Sequence, residues 1–315
     1  MQTKTLSLLS LSTAVMGAKA QSGCGTQLPD GQTTGNMYQV TIPTDEDPDR
    51  FALISIPPNY SINTKTQVIL SFHGGDRTAQ DQSELDGLTD PAINSDKIVV
   101  YPQADGSYWE GSPDVDSDDV GFTNTILDHL EQTYCIDTNR IFATGKSEGG
   151  GMCGVLACNN ALSQRIAAFA PVSGAFYDLD VSSCNPNTVK ITCNAGRPKI
   201  PFLEFHGGDD TTIAYNGEKS RKGACLPSIP DYIQQWAARD GLSTTNTTSS
   251  ITSDTVLFSF GAGADQGLVE QVFDASIGHD WPSTTANSDN QRDGHSPASF
   301  NATPMILKFF SRYSL

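Results

Sequence analysis

Positive charge is scarce in this sequence. Only 19 Lys and Arg residues stand against 36 Asp and Glu residues among 315, so the formal net charge is −17. A surface this acidic repels phosphate backbones and anionic lipid headgroups, and we therefore expect no nucleic-acid and no membrane partner. Beyond residue 20, no apolar run approaches the ~20 residues that span a bilayer. These absences favour a neutral or weakly charged partner.

Metal-binding patterns are also missing. The sequence has no C-x-x-C pair and no Cys/His cluster with the spacing of a zinc site. Asp114, Asp116, Asp118 and Asp119 resemble an oxygen-rich calcium loop, but the glycine and terminal glutamate of an EF-hand are absent. We interpret Asp118 or Asp119 as the N-cap or first-turn acid of the helix that follows. We expect no metal and no organic cofactor.

The first 20 residues have the pattern of a secretory signal peptide. Lys4 gives a positive start, residues 6–15 form a short apolar stretch, and residues 18–20 (Ala-Lys-Ala) form an A-x-A cleavage signal. The alternative, an ordinary buried helix, fits this pattern less well. We therefore expect a secreted protein whose mature chain runs from residue 21 to residue 315.

Secretion gives meaning to the seven cysteines, because disulfides persist in oxidising compartments. An odd count leaves at least one without an intramolecular partner, and we expect that one to be Cys153, as a buried thiol. Sequence alone does not fix connectivity, but the pairs we predict are Cys24–Cys225, Cys135–Cys158 and Cys184–Cys193. Three N-x-[ST] sequons predict glycosylation sites if they are exposed: Asn59, Asn246 and Asn301.

Short apolar runs alternate with helical patterns along the chain. Several runs are continuously apolar, such as Val-Ile-Leu at 68–70, which is typical of strands buried on both faces of a mostly parallel sheet. The predicted strands are 38–42, 51–56, 67–72, 97–101, 140–143, 166–171, 200–205 and 256–260, and the predicted helices are 120–134, 147–160, 230–239 and 304–313. This alternation predicts one α/β domain with helices on both faces of the sheet. We expect no terminal carbohydrate-binding module.

A possible nucleophile lies between a predicted strand and a predicted helix. Residues 145–149 read Gly-Lys-Ser-Glu-Gly, a G-x-S-x-G pattern that is weak alone but gains weight from its strand–turn–helix context. Such a turn holds the hydroxyl of Ser147 clear of the sheet edge, and the flanking glycines remove Cβ atoms that would clash. The alternative is a tight turn with an inert serine.

A serine nucleophile needs a base and an orienting carboxylate, which in this architecture follow in the order Ser, Asp, His. His279 precedes the last predicted helix and is our candidate base, whereas His295 lies in a polar stretch typical of the surface. The acid should follow the strand at 200–205, where the candidates are Asp209, Asp210 and, more distantly, Asp254. We interpret His206 as a loop residue that is hydrogen-bonded to the backbone.

Acyl transfer also needs donors for the developing oxyanion. One is normally the backbone N–H after the nucleophile, here that of Glu148. The other comes from a loop after an early central strand, and the His-Gly-Gly sequence at 73–75 fits that role, with Gly75 as the second donor. A purely structural turn is the alternative. Together these segments predict a serine hydrolase of the α/β-hydrolase fold.

With these motifs, the chain resembles the fungal secreted feruloyl esterases of types C and D, which are related to carbohydrate esterase family 1 and to polyhydroxybutyrate depolymerase-like hydrolases. The resemblance covers nearly all of the mature chain, including Tyr-Pro-Gln at 101–103, Arg-Ile-Phe-Ala-Thr-Gly-Lys-Ser at 140–147 and His-Asp-Trp-Pro at 279–282. In the family's H-G-x-x-D stretch the acid is the fifth residue, which implies Asp210. Ala214 departs from the family pattern, which usually has proline there.

The resemblance implies hydrolysis of hydroxycinnamate esters, with feruloylated arabinoxylan or pectin fragments and small hydroxycinnamate esters as substrates. The same machinery serves acetylxylan or polyhydroxyalkanoate esterases, and a non-catalytic carbohydrate-binding relative is a distant alternative. We expect Trp109 and Trp281 to line an apolar slot for the aromatic group, with a core or rim position as the alternative. We interpret Lys146 as a solvated residue of the turn.

Overall fold

A ten-stranded sheet organises the part of the chain that the computed structural model describes, residues 22–179 and 184–315. The predicted signal peptide at 1–20 lies outside these residues. The strands are β1 (Asn36–Thr41), β2 (Phe51–Ile56), β3 (Thr66–Phe72), β4 (Ile98–Pro102), β5 (Ile136–Lys146), β6 (Ala168–Val172), β7 (Phe202–Gly207), β8 (Glu218–Arg221), β9 (Ala224–Leu226), β10 (Thr247–Ser250), β11 (Thr255–Phe260) and β12 (Val269–Asp274). The helices are α1 (Ala79–Leu85), α2 (Asp119–Thr133), α3 (Glu148–Cys158), α4 (Ile229–Arg239), α5 (Ser288–Asp293) and α6 (Ala302–Phe310).

The centre of the sheet is parallel, as the continuously apolar runs predicted. The strand order is β1-β2-β4-β3-β5-β6-β7-β12-β11-β10. Strands β4 to β12 in this order pair in parallel, and two antiparallel strands extend the sheet on each side. Strands β8 and β9 form a separate hairpin. Because the central strands are parallel, the loops that follow β3, β5, β7 and β12 all leave at one edge of the sheet, which brings the predicted site segments together.

Apolar residues cover both faces of the sheet. On β3, Val68 and Leu70 point into one core cluster, which also holds buried residues of α2, α3 and α4. Ile69 between them points into the other cluster, which includes residues of α1 and α6. The alternation follows from the two-residue period of a strand. The prediction of helices on both faces is therefore confirmed. None of the helices among the described residues combines the length and apolar character needed to cross a membrane.

The acidic stretch before α2 caps that helix. The Asp118 carboxylate accepts a hydrogen bond from the backbone N–H of Gly121 over 2.6 Å, and Asp119 lies in the first turn. Asp119 also forms a buried ion pair of 2.7 Å with Arg50. The interpretation of these aspartates as capping residues is confirmed.

The six cysteines expected in disulfides are paired, but the predicted pairing is wrong. The observed bonds are Cys24–Cys135, Cys158–Cys193 and Cys184–Cys225. The backbone N–H of Gly23 donates to the Glu131 carbonyl in α2 over 2.8 Å, which carries the N-terminal segment to the end of that helix. Asn194 likewise donates to the Cys158 carbonyl over 3.0 Å. These are long-range contacts, so sequence proximity did not reveal the partners. Cys153 is buried and unpaired, as predicted.

Candidate active site

Ser147 occupies a strained turn between β5 and α3. Its φ of +58° is in the left-handed region, which non-glycine residues rarely adopt. The turn is held because the Ser147 N–H donates to the Val172 carbonyl over 2.9 Å, while the Ser147 carbonyl accepts from the amides of Gly151 and Ala175. Strain of this kind persists where the surroundings determine the backbone, and it concentrates at functional sites.

Two glycines allow the chain to pass this closely. A Cβ at Gly145 would lie 2.5 Å from the Gly149 carbonyl oxygen, and a Cβ at Gly149 would lie 2.2 Å from the carbonyl oxygen of Phe72. Neither neighbour is a flexible side chain, so any larger residue would displace the turn. The G-x-S-x-G pattern therefore reflects a packing requirement at Ser147.

Asp210 and His279 meet at the carboxyl ends of β7 and β12. The Nδ1 atom of His279 lies 2.7 Å from Oδ2 of Asp210. The other carboxylate oxygen, Oδ1, accepts the backbone N–H groups of Thr212 and Ile213 over 2.9 and 2.7 Å. Asp209, the neighbouring candidate, is exposed. The geometry selects Asp210 as the partner of His279.

The surroundings of Asp210 and His279 lower the pKa of both side chains. Burial opposes ionisation of Asp210, but hydrogen bonds from His206 and His279 outweigh it and hold the pKa of the carboxyl well below its usual range. Burial and the neighbouring charge of Lys146 lower the pKa of His279 to about 4, although Asp210 acts in the opposite direction. His279 is therefore a neutral imidazole near pH 7. Because Nδ1 faces a carboxylate, Nδ1 carries the proton and Nε2 is the basic nitrogen.

Ser147 and His279 line one cavity of about 320 Å³, together with Gly75 and Glu148. No hydrogen bond joins the Ser147 hydroxyl to His279 among the described residues, and Nε2 has no protein partner there. Catalytic hydrogen bonds are often loose before a ligand binds. By contrast, His295 pairs with Asp280 over 3.1 Å and does not line this cavity.

The loop after β3 places Gly75 opposite the N-terminus of α3. The His73 ring is buried beneath it, where Nδ1 bonds the Gly74 carbonyl over 2.8 Å and Nε2 accepts the N–H of Ala104 over 3.1 Å. A Cβ at Gly75 would lie 2.9 Å from Cγ of Glu148. The Gly75 and Glu148 amides have no acceptor within the described part of the chain, so both are available to a ligand in the cavity.

The side chain of Glu148 is buried and contacts three other segments, a role that the sequence did not suggest. It accepts hydrogen bonds from Ser112 over 2.6 Å and from the Tyr177 hydroxyl over 3.2 Å. It also pairs over 3.2 Å with Lys222, at the tip of the β8–β9 hairpin. The Lys222 ammonium lies 3.8 Å from the ring centroid of Tyr108. The hairpin is thereby tied to the residue that follows Ser147.

Three sequence-based interpretations need correction. Lys146 is 3% exposed rather than solvated. Trp109 and Trp281 do not line the cavity, because both are buried at 0% and 1% exposure. Their indole N–H groups donate to the His73 carbonyl and to the Thr303 hydroxyl, which fixes them inside the two core clusters. The sequence around these two tryptophans did not indicate whether their rings face the cavity or the core.

His206 lies in β7 and not in a loop. Its Nε2 does bond a backbone group, the Ile213 carbonyl, over 2.8 Å as predicted. The sequence gave no sign of its second partner, the buried carboxylate of Glu204, which lies 2.7 Å from Nδ1.

The three sequon asparagines are accessible to different degrees. Asn59 and Asn301 are exposed, whereas Asn246 is partly buried. Glycosylation at these positions stays a prediction.

No family model matches the chain. It is 32% identical over 219 residues to feruloyl esterase D of Neurospora crassa, which covers 66% of this chain and 68% of that protein. It is 28% identical over 220 residues to the probable feruloyl esterase C of Aspergillus oryzae, which covers 68% of this chain and 70% of that protein.

Among solved structures, the acetyl xylan esterase from Aspergillus awamori matches with a TM-score of 0.63 at 17% identity. The match covers 88% of this chain and 99% of that one. At this identity the likeness concerns the fold alone, and it confirms the predicted α/β-hydrolase fold.

Proposed function

The chain belongs to the feruloyl esterases, which are carboxylic ester hydrolases, and from that membership we propose that it hydrolyses hydroxycinnamoyl esters of plant cell-wall polysaccharide with Ser147 as the nucleophile. The observation that carries this proposal is the 2.7 Å contact between Asp210 and His279, whose ring lines the same cavity as the strained Ser147. The proposed substrates are feruloylated arabinoxylan or pectin fragments and small hydroxycinnamate esters. The three disulfides support the further proposal that the protein is secreted.

In the acylation step, Nε2 of His279 takes the hydroxyl proton while Oγ of Ser147 bonds to the ester carbonyl carbon. Asp210 keeps the proton of His279 on Nδ1 and stabilises the imidazolium that forms. The negative charge on the former carbonyl oxygen is stabilised by the amides of Gly75 and Glu148, two residues that line the cavity. The imidazolium then donates its proton to the alcohol oxygen as the carbon–oxygen bond breaks, and the sugar alcohol leaves.

Deacylation repeats the sequence with water as the nucleophile. Nε2 of His279 removes a proton from water, whose oxygen attacks the acyl carbon. Collapse of the second tetrahedral intermediate returns the proton to Oγ of Ser147 and releases the hydroxycinnamic acid. His279 suits this exchange because it is neutral at the start of each half-reaction.

The direct test compares Ser147→Ala with Ser243→Ala. Ser243 is an exposed serine that does not line the cavity. With methyl ferulate as substrate, we expect Ser147→Ala to lose at least ~10³-fold in kcat with an unchanged melting temperature. Ser243→Ala should match the wild type. Full activity in a folded Ser147→Ala variant would contradict the proposal.

The acyl group is tested separately, because acetylxylan and polyhydroxyalkanoate esters would use the same nucleophile. The wild-type enzyme is compared on methyl ferulate, methyl caffeate, methyl sinapate and acetylated xylan. We expect the highest kcat/KM on a hydroxycinnamate ester. Preferential release of acetate would leave Ser147 in its role and replace the proposed substrate.

A further inference from the structure

A second buried histidine contacts the carboxylate that orients His279. His206 is on β7, where its side chain is fully enclosed. Its Nδ1 lies 2.7 Å from Oε1 of Glu204, whose side chain is also fully enclosed. On the other side of the ring, Nε2 lies 2.8 Å from the Ile213 carbonyl and 3.3 Å from Oδ2 of Asp210. Glu204, His206, Asp210 and His279 thus form one continuous buried row.

The acceptors around the His206 ring favour its positively charged form. Both nitrogens face oxygen acceptors, and a neutral imidazole has only one N–H to donate. The arrangement is satisfied when the ring carries both protons and a positive charge. Burial opposes that charge, but the carboxylates of Glu204 and Asp210 outweigh burial and raise the pKa of His206 to about 10. The titratable side chain of Tyr215 also lies beside the ring, at 5.9 Å between centroids.

Stability alone does not explain the buried pair of Glu204 and His206. A buried ion pair gains little over apolar residues of the same volume. Burial also raises the pKa of Glu204, against the opposing effects of His206 and of a hydrogen bond from the Gly174 backbone. What the pair does supply is a cation beside Oδ2 of Asp210, the same oxygen that accepts Nδ1 of His279.

We propose that His206, held as an imidazolium by Glu204, is a positioning residue that fixes the Asp210 carboxylate against His279. The inference rests on the proposed function, because it assigns a purpose to the contact between Asp210 and the base. Oδ1 of Asp210 is held by two backbone amides and Oδ2 by two imidazole rings, so the carboxylate has one orientation. The His206 charge also offsets the field of Asp210 at His279, which keeps the base neutral to lower pH.

The charged groups that face His279 determine its pKa, and with it the acidic limb of the kcat/KM profile. They are Asp210 from the loop after β7, Lys146 from the end of β5 and Asp289 from α5. Removing the His206 cation leaves the attraction of Asp210 for a protonated His279 less compensated. The acidic limb of kcat/KM should therefore move to higher pH, and kcat should fall because the carboxylate is less firmly held.

The experiment compares His206→Gln and Glu204→Gln with His129→Gln, a partly buried histidine on α2 outside this row. On methyl ferulate, we expect His206→Gln to lose roughly ten- to a hundred-fold in kcat with little change in KM. We expect both variants of the row to raise the pH of the acidic limb, and His129→Gln to match the wild type. In an Asp210→Asn background, adding His206→Gln should lower kcat by less than about a further threefold, because the carboxylate that His206 positions is gone.

A purely structural role predicts otherwise: the loss would recur in full in the Asp210→Asn background, and the acidic limb would not move. That outcome overturns the inference while Ser147→Ala still reports on the proposed function. If His206→Gln does not fold, ¹⁵N-histidine NMR of the wild-type chain decides. We expect one histidine with both ring nitrogens protonated at pH 8. Five neutral rings at pH 8 would overturn the inference.

Discussion

Lys146 donates a hydrogen bond from Nζ to the backbone carbonyl of His279 over 3.0 Å, between residues 133 positions apart in sequence. The same ammonium lies 3.4 Å from Oδ2 of Asp289, and that carboxylate accepts the backbone N–H of Trp281 over 3.0 Å. One buried lysine beside Ser147 thereby holds the loop that carries His279. It also places a positive charge near the imidazole, which helps to keep the ring unprotonated.

Replacing Lys146 with Met should both destabilise the protein and change its pH profile. Asp289 would keep only its 3.8 Å pair with the more exposed Arg292, and breaking a buried ion pair costs up to about 3–5 kcal/mol in the free energy of unfolding. Loss of the ammonium should also raise the pKa of His279. Urea denaturation and kcat/KM from pH 3 to pH 8 measure the two effects. Lys65→Met, on an exposed lysine, is the control; equal stability of the two variants would disprove the role of the pair.

The wild-type enzyme should stay active at unusually low pH for a histidine base. In the proposed mechanism the neutral ring is the reactive form, and burial together with Lys146 lowers the pKa of His279 to about 4. Activity should therefore be nearly constant from neutral pH to about pH 5 and fall as protonation proceeds through pH 4. The kcat/KM profile on a neutral ester measures this. An acidic limb near the ordinary histidine pKa of about 6.5 would contradict the described environment.

Adjacent glycines in the loop after β3 should differ in their tolerance of a side chain. A Cβ at Gly75 would lie 2.5 Å from a ring carbon of Tyr108 and 2.9 Å from Cγ of Glu148, so Gly75→Ala displaces the proposed oxyanion donor. At Gly74 the nearest atoms are 3.5 Å away, an ordinary contact. We expect Gly75→Ala to lower kcat by about 10²–10³-fold, the usual effect of losing one donor.

Gly74→Ala is the matched control for this comparison, since it adds the same methyl group one residue earlier in the same loop. It should retain kcat within about threefold, while both variants keep the wild-type melting temperature. Similar losses in the two variants would show that the loop tolerates no side chain, and would remove the evidence for a specific role of Gly75.

Most strands of the fold could be predicted from apolar runs, and every predicted strand overlaps an observed one. Strand β12 could not, because its sequence contains Glu270 and Gln271, both nearly buried. Their polar groups find partners far away in sequence, with Glu270 pairing with Arg312 over 2.6 Å. Helix α1 is only seven residues long and lacks a clear apolar stripe. Its capping box, formed by Thr78 and Asp81, was the signal that could have revealed it.

The residues of the candidate site also fall into those that the sequence predicted and those that it did not. Ser147, Asp210 and His279 follow strand ends in a fixed order, so their location at one edge of the parallel sheet was predictable. Lys146 was misjudged because its burial depends on segments that local composition does not report, and the contacts of His206 with Glu204 and Asp210 were missed because they form only in the folded chain. The disulfide pairs failed for the same reason. Short-range patterns predicted the residues of the proposed chemistry, whereas the residues that support them became visible only through tertiary contacts.

Cys153 should be inert in the folded enzyme. It is buried within α3, so a reagent cannot reach the sulfur, and burial raises the pKa of the thiol, so the reactive thiolate does not form. The remaining six cysteines are in disulfides. We therefore expect no reaction with Ellman's reagent under native conditions and one thiol per chain in guanidinium chloride without reductant. Cys153→Ser should abolish the denatured signal. A reactive thiol in the native protein, or three thiols after denaturation, would disprove the assigned disulfide set.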